Sequence, residues 1–214
     1  MNLAILENTL RERLAGTLPG LEAQLRFMPT PPRGSRWTPG EFPSDARIAA
    51  GLLLVYPGTR GLSIPLTVRA SGLRRHAGQI SLPGGATDPG ETLAQAALRE
   101  AHEEVALRAD GIRVLGALTP IDIPVSGFRL HPIVAATPEA PLLAPADSEV
   151  AQILEIPVHD LLDAAHFVRT SRERDGVRYI VPAFRVAGHD VWGATAMVLA
   201  EFLALLGWTG QKHW

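Results

Sequence analysis

Apolar residues recur along the chain with two different periods, and the change from one to the other outlines an order of elements. Leu3, Leu6, Leu10 and Leu14 fall three and four residues apart, the spacing that gathers side chains on one helical face; Gly16, Pro19 and Gly20 mark where that helix stops. From Met28 to Ser44 the periodicity disappears, and Pro29, Pro31, Pro32, Pro39 and Pro43 with Gly34 and Gly40 predict an extended connector on the surface. Arg47 to Tyr56, closed by Pro57 and Gly58, is a short apolar run suited to a buried strand, and Ile64 to Arg69 is a second. A glycine-rich turn at Pro83 to Gly85 precedes a helical stretch from about Pro89 to Leu107, with Asp88 as its expected cap and Pro89 in its first helical position.

Ile112 to Leu118, Leu130 to Ala135 and Ala151 to Ile156 are further strand candidates, and Val158 to Ala164 reads as a short helix. His166 to Arg172 and Val177 to Val186 flank Asp175-Gly176, a dipeptide favoured in hairpin turns. Gly193 to Leu206 closes the series as a core helix. The apolar stretch around it, Trp192 to Trp208, is shorter than the roughly 20 residues a membrane span requires and contains Glu201. Strands mixed with helices predict an α/β (α+β) fold class, a mixed β-sheet sandwiched between α-helices. With 214 residues, 46% of them hydrophobic, the chain has material for one well-buried core. The expected organisation is a single domain over residues 1–214, with the N-terminal helix and proline-rich extension in 1–45 and the core in 46–206.

Charge and cysteine content narrow the chemistry. Lys and Arg number 20 against 22 Asp and Glu, a formal charge of -2 that supplies no general attraction to nucleic acid or an anionic membrane. Phosphate binding must then come from local clusters. The chain has no cysteine, which excludes disulfides, thiolate zinc sites and a cysteine nucleophile, so that any metal sits on oxygen or imidazole. Glu7, Arg11 and Glu12 interrupt the N-terminal leucines, unlike a secretory signal, and a cytoplasmic location is expected.

One helix carries the candidate chemistry. With Glu100 at zero and about 100° per residue, Glu104 falls near +40° and Glu103 near -60°, so three carboxylates share a face. Ala94, Ala97, Leu98, Ala101 and Val105 form an adjacent stripe that would pack on the sheet, leaving the acids at the edge of that contact, toward a cleft. Like charges at these spacings repel by a few tenths of a kcal/mol per pair. A solvated acidic face would tolerate that; Mg²⁺, a hard cation that prefers carboxylate oxygens and bridges to phosphates, would relieve it. Upstream, Gly84 and Gly85 allow backbone to approach a ligand or metal closely.

Gly85, five residues, Glu91, seven residues, then Arg99-Glu100-Ala101-His102-Glu103-Glu104-Val105-Ala106-Leu107 resembles the Nudix box, G-x5-E-x7-R-E-U-x-E-E-x-G-U, with U a bulky aliphatic residue. Ala101 stands at an aliphatic position and Ala106 at the glycine after the acids; no acid of the pattern is missing. The resemblance implies a Nudix fold and metal-assisted hydrolysis of a nucleoside diphosphate linkage. It implies Mg²⁺, or Mn²⁺ in its place, on Glu100, Glu103, Glu104 and the carbonyl of Gly85, with Arg99 orienting Glu91 or a metal-binding glutamate. The general base is Glu100 or Glu103 within the box, or an outside carboxylate for which Glu149 is the first candidate and Asp122 and Asp147 weaker ones.

Leu66-Thr67-Val68-Arg69-Ala70, Arg74, Gly78 and Leu82-Pro83-Gly84-Gly85 are similar to the extra motif of the coenzyme A pyrophosphatase subgroup, L-L-T-x-R-S/A-x3-R-x3-G-x3-F-P-G-G. Pro65 and Leu82 depart from it. Trp192-Gly193-Ala194-Thr195 also looks like this subgroup. The implied substrate is coenzyme A or a derivative, with Arg69, Arg74 and Arg75 as phosphate donors, since guanidinium forks match phosphate geometry. His76 in the same loop is a weaker candidate donor. Another nucleoside diphosphate derivative such as ADP-ribose or a dinucleotide cofactor, and a non-catalytic nucleotide-sensing module, are the alternatives. Neither a nucleic acid nor a membrane is an expected partner; the N-terminal helix and the proline-rich segment are candidate contacts in a homodimer.

Overall fold

The computed structural model describes residues 2–31, 46–70, 78–124, 126–174 and 176–210. In chain order its elements are helices α1 (Leu3–Leu14) and α2 (Gly20–Gln24), strands β1 (Arg47–Gly58), β2 (Gly61–Arg69), β3 (Ile80–Ser81) and β4 (Gly84–Ala86), helix α3 (Leu93–Val105), and strands β5 (Arg113–Ala117), β6 (Ile121–Ile123), β7 (Phe128–Ala136) and β8 (Val150–Pro157). Helix α4 (Val158–Leu162), strands β9 (Phe167–Arg174), β10 (Val177–Val186) and β11 (His189–Trp192), and helix α5 (Ala194–Leu205) complete the series. The first eight strands form one mixed sheet along the path β3-β2-β1-β7-β5, with β4 joined to β1, β6 to β7 and β8 to β2; β9, β10 and β11 form a separate antiparallel sheet.

β1 is the centre of the molecule because it is apolar on both faces. Ala50, Leu52, Leu54 and Tyr56 point to one side and pack with Ala96, Ala97, Ala101 and Val105 of α3. Leu53 and Val55 point to the other, into a larger core with Leu6 and Leu10 of α1 and Val198, Leu199, Phe202 and Leu203 of α5. A strand buried on both faces reads as a continuous apolar run, as this one does. β1 pairs in parallel with β7 from Arg47↔Phe128 to Val55↔Ala136 and antiparallel with β4 from Ala49↔Ala86 to Gly51↔Gly84.

The expected mixed sheet between helices is therefore present, and α1, the principal strands, the hairpin and the closing helix lie where the periodicity places them, within a few residues. Pro83 to Gly85 departs from expectation: Gly84 and Gly85 belong to a short strand, because β1 offers free edge hydrogen-bonding groups there and Pro83 carbonyl accepts from Leu52 N–H (2.8 Å). The start of α3 also differs. Asp88 to Glu91 is a turn closed by Glu91 N–H on the Asp88 carbonyl (3.1 Å) with Gly90 at φ 82, and the cap is Thr92, paired reciprocally with Gln95. The connector's residues 32–45 lie outside the described residues, as does Asp175 of the hairpin turn. The short strands β3, β6 and β11 are too brief to show a period and exist because a neighbouring strand completes their hydrogen bonds.

Glu201, inside the apolar α5, is fully buried. Its carboxylate accepts from Gly20 N–H (3.1 Å), Thr119 N–H (3.2 Å), Thr119 Oγ1 (2.6 Å) and Gln24 Nε2 (2.9 Å). It thereby ties α2 and the β5–β6 connection to α5, the arrangement a buried charge requires.

Candidate active site

Helix α3 is held at both ends by its own sequence. Thr92 Oγ1 accepts from Gln95 N–H while Gln95 Oε1 accepts from Thr92 N–H (2.9 Å), a capping box. Ala106 ends the helix in the left-handed region at φ 56 and ψ 25, the conformation for which glycine is the usual residue. Between these ends Ala96, Ala97, Ala101, Glu104 and Val105 are buried. On the helical wheel those positions span about -40° to +140°, so Glu104 sits within the buried arc rather than at its edge as expected. Glu100, at zero, also falls inside that arc and is half-buried, and Glu103 just beyond it is exposed, at 55% of its side chain.

Two adjacent glycines fit this helix against the sheet. A Cβ on Gly84 would lie 2.4 Å from the Ala50 carbonyl oxygen and 2.6 Å from Gly51 Cα, so this glycine lets β4 lie against β1. A Cβ on Gly85 would lie 2.5 Å from the carboxylate of Glu100, so this one lets an acidic side chain of α3 rest on the strand. Glu104 accepts from the Gly84 N–H at 3.1 Å. Arg99 organises the rest: its guanidinium donates to both oxygens of Glu91 (3.0 and 3.1 Å), to the Ala86 carbonyl (2.9 Å), to Glu100 (2.9 Å) and to Glu103 (3.1 Å). Glu91 in turn accepts from Asp88 N–H (3.1 Å), fastening the loop before the helix.

The electrostatics follow from this packing. Burial, chiefly, pushes the Glu104 carboxyl up to about 7, with the charges of Glu100 and Asp147 adding to it and the Gly84 N–H and Arg69 opposing it. Burial likewise raises Glu100 against the opposing hydrogen bond from Arg99. Glu91, hydrogen-bonded by Arg99 and by Asp88 N–H, is held below the usual carboxylate range. Two carboxylates on one helix are thus poorly solvated and repel each other, a condition that a hard divalent cation relieves. The donor set, oxygen only and partly desolvated, fits Mg²⁺ or Mn²⁺. As the side chains stand, the three glutamates engage Gly84, Gly85 and Arg99, and among the described residues no group of three or more acidic or histidine side chains is drawn together closely enough to hold an ion.

Facing Glu104 is a second charged group. Arg69, at the end of β2, donates to Glu149 Oε2 at 2.7 Å, and Ala70 N–H donates to the Glu149 carbonyl at 2.7 Å. The Nε of Arg69 is buried and makes no hydrogen bond. Asp147 accepts from the N–H groups of Glu149 and Val150 (2.9 and 3.1 Å), shaping the turn that presents Glu149. That turn is docked on α3, with Ala144 N–H on the Val105 carbonyl (3.1 Å) and Ala146 N–H on the Glu104 carbonyl (3.0 Å). Arg69, Asp147 and Glu149 are therefore brought beside the α3 acids. Asp122 is not: it pairs with Arg129 at 3.2 Å on β6, separated from β4 by β1 and β7. Arg74, Arg75 and His76 lie outside the described residues. The docking of residues 144–149 on the helix end was not legible in the sequence, since a proline- and alanine-rich loop has no periodicity to report its contacts.

The chain matches the family model described as NUDIX domain over residues 45–175. It is 36% identical over 162 residues to the uncharacterized Nudix hydrolase NudL of Yersinia enterocolitica, covering 75% of this chain and 82% of that protein. To the corresponding NudL of Yersinia pestis it is 39% identical over 135 residues, 63% of this chain and 67% of that one. Among solved structures, the Nudix hydrolase RenU of M. smegmatis superposes with a TM-score of 0.54 at 22% identity, covering 79% of this chain and 91% of that one. A MutT protein of Methanosarcina mazei gives 0.50 at 15% identity, over 78% and 99%. These two likenesses concern the fold.

Proposed function

The chain belongs to the Nudix hydrolase family, and on that footing we propose that it hydrolyses the pyrophosphate bond of coenzyme A or its derivatives to 3′,5′-ADP and 4′-phosphopantetheine. The observation that carries the substrate is the course of the residues similar to the coenzyme A motif. Leu66 to Ala70 form the end of β2, Gly78 returns antiparallel to it, and Leu82 to Gly85 lead into β4, so Arg69 and Gly84 both adjoin Glu104. A guanidinium with an unengaged buried donor beside the cation-binding carboxylates suits the oxygens of a bound diphosphate. Arg74 we assign to the same substrate on the motif, and Arg75 on its place next to it in the chain.

In this proposal Glu100, Glu103, Glu104 and the carbonyl of Gly85 hold Mg²⁺ or Mn²⁺. The cation, when bound, neutralises diphosphate oxygens and lowers the pKa of a water. Arg99, anchored by both oxygens of Glu91, keeps Glu100 and Glu103 in place by charge-assisted hydrogen bonds. Glu149, partly exposed and held by Arg69, is the external candidate for accepting the proton of the attacking water, and Glu103 and Glu100 are those within the helix. Residues 46–206 carry the activity and 1–45 are an extension of the same domain that, with the proline-rich segment, offers contacts for a homodimer. We place the reaction in the cytoplasm with a small-molecule substrate and no nucleic acid partner. Among the described residues no helix is long and apolar enough to cross a membrane.

A substrate panel with Mg²⁺, resolved by chromatography, tests the proposal: coenzyme A, dephospho-coenzyme A, ADP-ribose and dinucleotide cofactors. Coenzyme A should be cut with the highest kcat/KM. Far faster cleavage of both dephospho-coenzyme A and ADP-ribose rejects the substrate, and absence of any metal-dependent product with every compound rejects the catalytic role.

A further inference from the structure

A cavity of about 590 Å³ opens between the edge of the large sheet and the three-stranded sheet, lined by Gln79 beside β3, Arg172 of β9, Arg185 of β10, and His189, Asp190 and Trp192 of β11. Its chemistry suits an anion carried on a planar group. Arg185 is engaged bidentately by Asp190 (2.8 and 3.2 Å). Arg172 is not so committed: its guanidinium lies over the Trp192 ring, 4.3 Å from the centroid, and its Nε is buried without a hydrogen bond. Two guanidinium groups against one carboxylate leave the cavity positively charged whatever the state of His189. A buried arginine donor without an acceptor is costly, and the group that best completes it is an anionic oxygen in the plane of the fork. A guanidinium resting on an indole also offers its outer face for stacking against a nucleobase.

The cavity adjoins the candidate active site. Gln79 carbonyl accepts from Arg69 N–H (2.9 Å) and Gly78 N–H donates to Arg69 carbonyl (3.0 Å), so its rim is one strand spacing, about 4.8 Å, from the backbone of the arginine that faces Glu104. A ligand whose diphosphate lies at Glu104 and Arg69 would therefore have the cavity on the adjoining strand.

We propose that this cavity is the specificity site for a phosphate monoester borne by the substrate's nucleoside in addition to its diphosphate, with Arg172 as the donor and the Arg172–Trp192 pair as the surface against which the nucleoside lies. The proposal deepens the coenzyme A reading and rests on it: it assigns the recognition of the 3′-phosphate to residues far along the chain from the box and its preceding motif.

Two measurements test it. Calorimetric titration with 3′,5′-ADP and with 5′-AMP reads the cavity without turnover. The native protein should bind 3′,5′-ADP tenfold or more tightly than 5′-AMP, the effect of one charge-assisted contact. Arg172→Ala should abolish that preference by lowering 3′,5′-ADP affinity at least tenfold more than it lowers 5′-AMP affinity, and Arg172→Lys should restore part of it. In steady-state assays the same Arg172→Ala change should lower kcat/KM for coenzyme A through KM, and by a larger factor than for dephospho-coenzyme A. An undiminished preference for 3′,5′-ADP in Arg172→Ala, or an equal loss for both nucleotides, overturns the assignment. If no diphosphate substrate is hydrolysed by the native protein, the proposed activity fails, whereas the calorimetric comparison still decides the cavity.

Discussion

Replacing Gly85 by alanine should separate catalysis from folding at this site. Gly85 lies outside the left-handed region of backbone space, so alanine meets no conformational strain there, and a partly exposed strand position gains roughly 0.5 kcal/mol on losing glycine's freedom. The new Cβ would sit 2.5 Å from Cδ and Oε2 of Glu100 and 2.6 Å from Oε1. Ordinary contact between such atoms needs about 3.5 Å, so the carboxylate must retreat by about 1 Å from its place between Gly85 and Arg99. It is the end of a flexible side chain and can do so cheaply. A misplacement of that size at a reacting centre costs on the order of 100-fold in rate. Gly84→Ala is the control, because its Cβ would strike main-chain atoms of Ala50 and Gly51, which cannot move aside; overpacking of this kind costs about 1–3 kcal/mol. Urea unfolding midpoints and kcat with saturating Mg²⁺ should show Gly85→Ala as stable as the native protein and about 100-fold slower, and Gly84→Ala as distinctly less stable. Native turnover by Gly85→Ala, or a stability loss equal to that of Gly84→Ala, would refute the placement of Glu100 against the strand.

Three further outcomes are expected. Ala106→Gly relieves a left-handed alanine, a conformation that costs about 1–2 kcal/mol, and after the added entropy of the unfolded chain should raise stability by about 0.5–1 kcal/mol in urea titration, with kcat unchanged. Glu201→Ala leaves four neutral donors in the core without their acceptor and should lower stability by several kcal/mol, at about 1–3 kcal/mol for each buried donor left unsatisfied, measured by the same titration. The third concerns pH. A carboxyl raised to about 7 in the folded state contributes stability that is full below its unfolded pKa and is lost as pH rises through 7. The metal-free protein should therefore lose stability from this group between about pH 5 and 7, and Mg²⁺, which needs the ionised form, should raise the melting temperature more at pH 8 than at pH 6. Burial pushes His131 down and works in the opposite sense, so the quantity to measure is the native protein minus Glu104→Gln, which should lose this pH dependence.

The candidate centre was legible to the extent that it is local. Glu100, Glu103 and Glu104 share a face through helical geometry alone, and Arg99 lies one turn before Glu103 on the same helix, so their mutual contacts follow from spacing. The cap was misplaced: the sequence reading puts it at Asp88, whereas Thr92 and Gln95 form the capping box, because Gly90, with positive φ, holds Asp88 to Glu91 in a turn and leaves the start of the helix to Thr92. The burial of Glu104 was not legible, since a helical wheel ranks positions by polarity and cannot show that Gly84 would supply a hydrogen bond at the bottom of the contact.

By itself, then, the order of residues determined what depends on neighbours a few positions apart: the continuous apolar run of β1, the face of α3, the hairpin of β9 and β10, and the acid-rich box. Tertiary structure alone decided what depends on residues distant in the chain. It brought Glu149 and Asp147 to Arg69 and Glu104, spent Asp122 on Arg129, and opened the cavity between Gln79 and Arg172. The division has a physical cause. Backbone periodicity fixes the directions of nearby side chains within an element, whereas the meeting of two elements depends on which buried surfaces fit and which hydrogen bonds close, and no local pattern of residues carries that information.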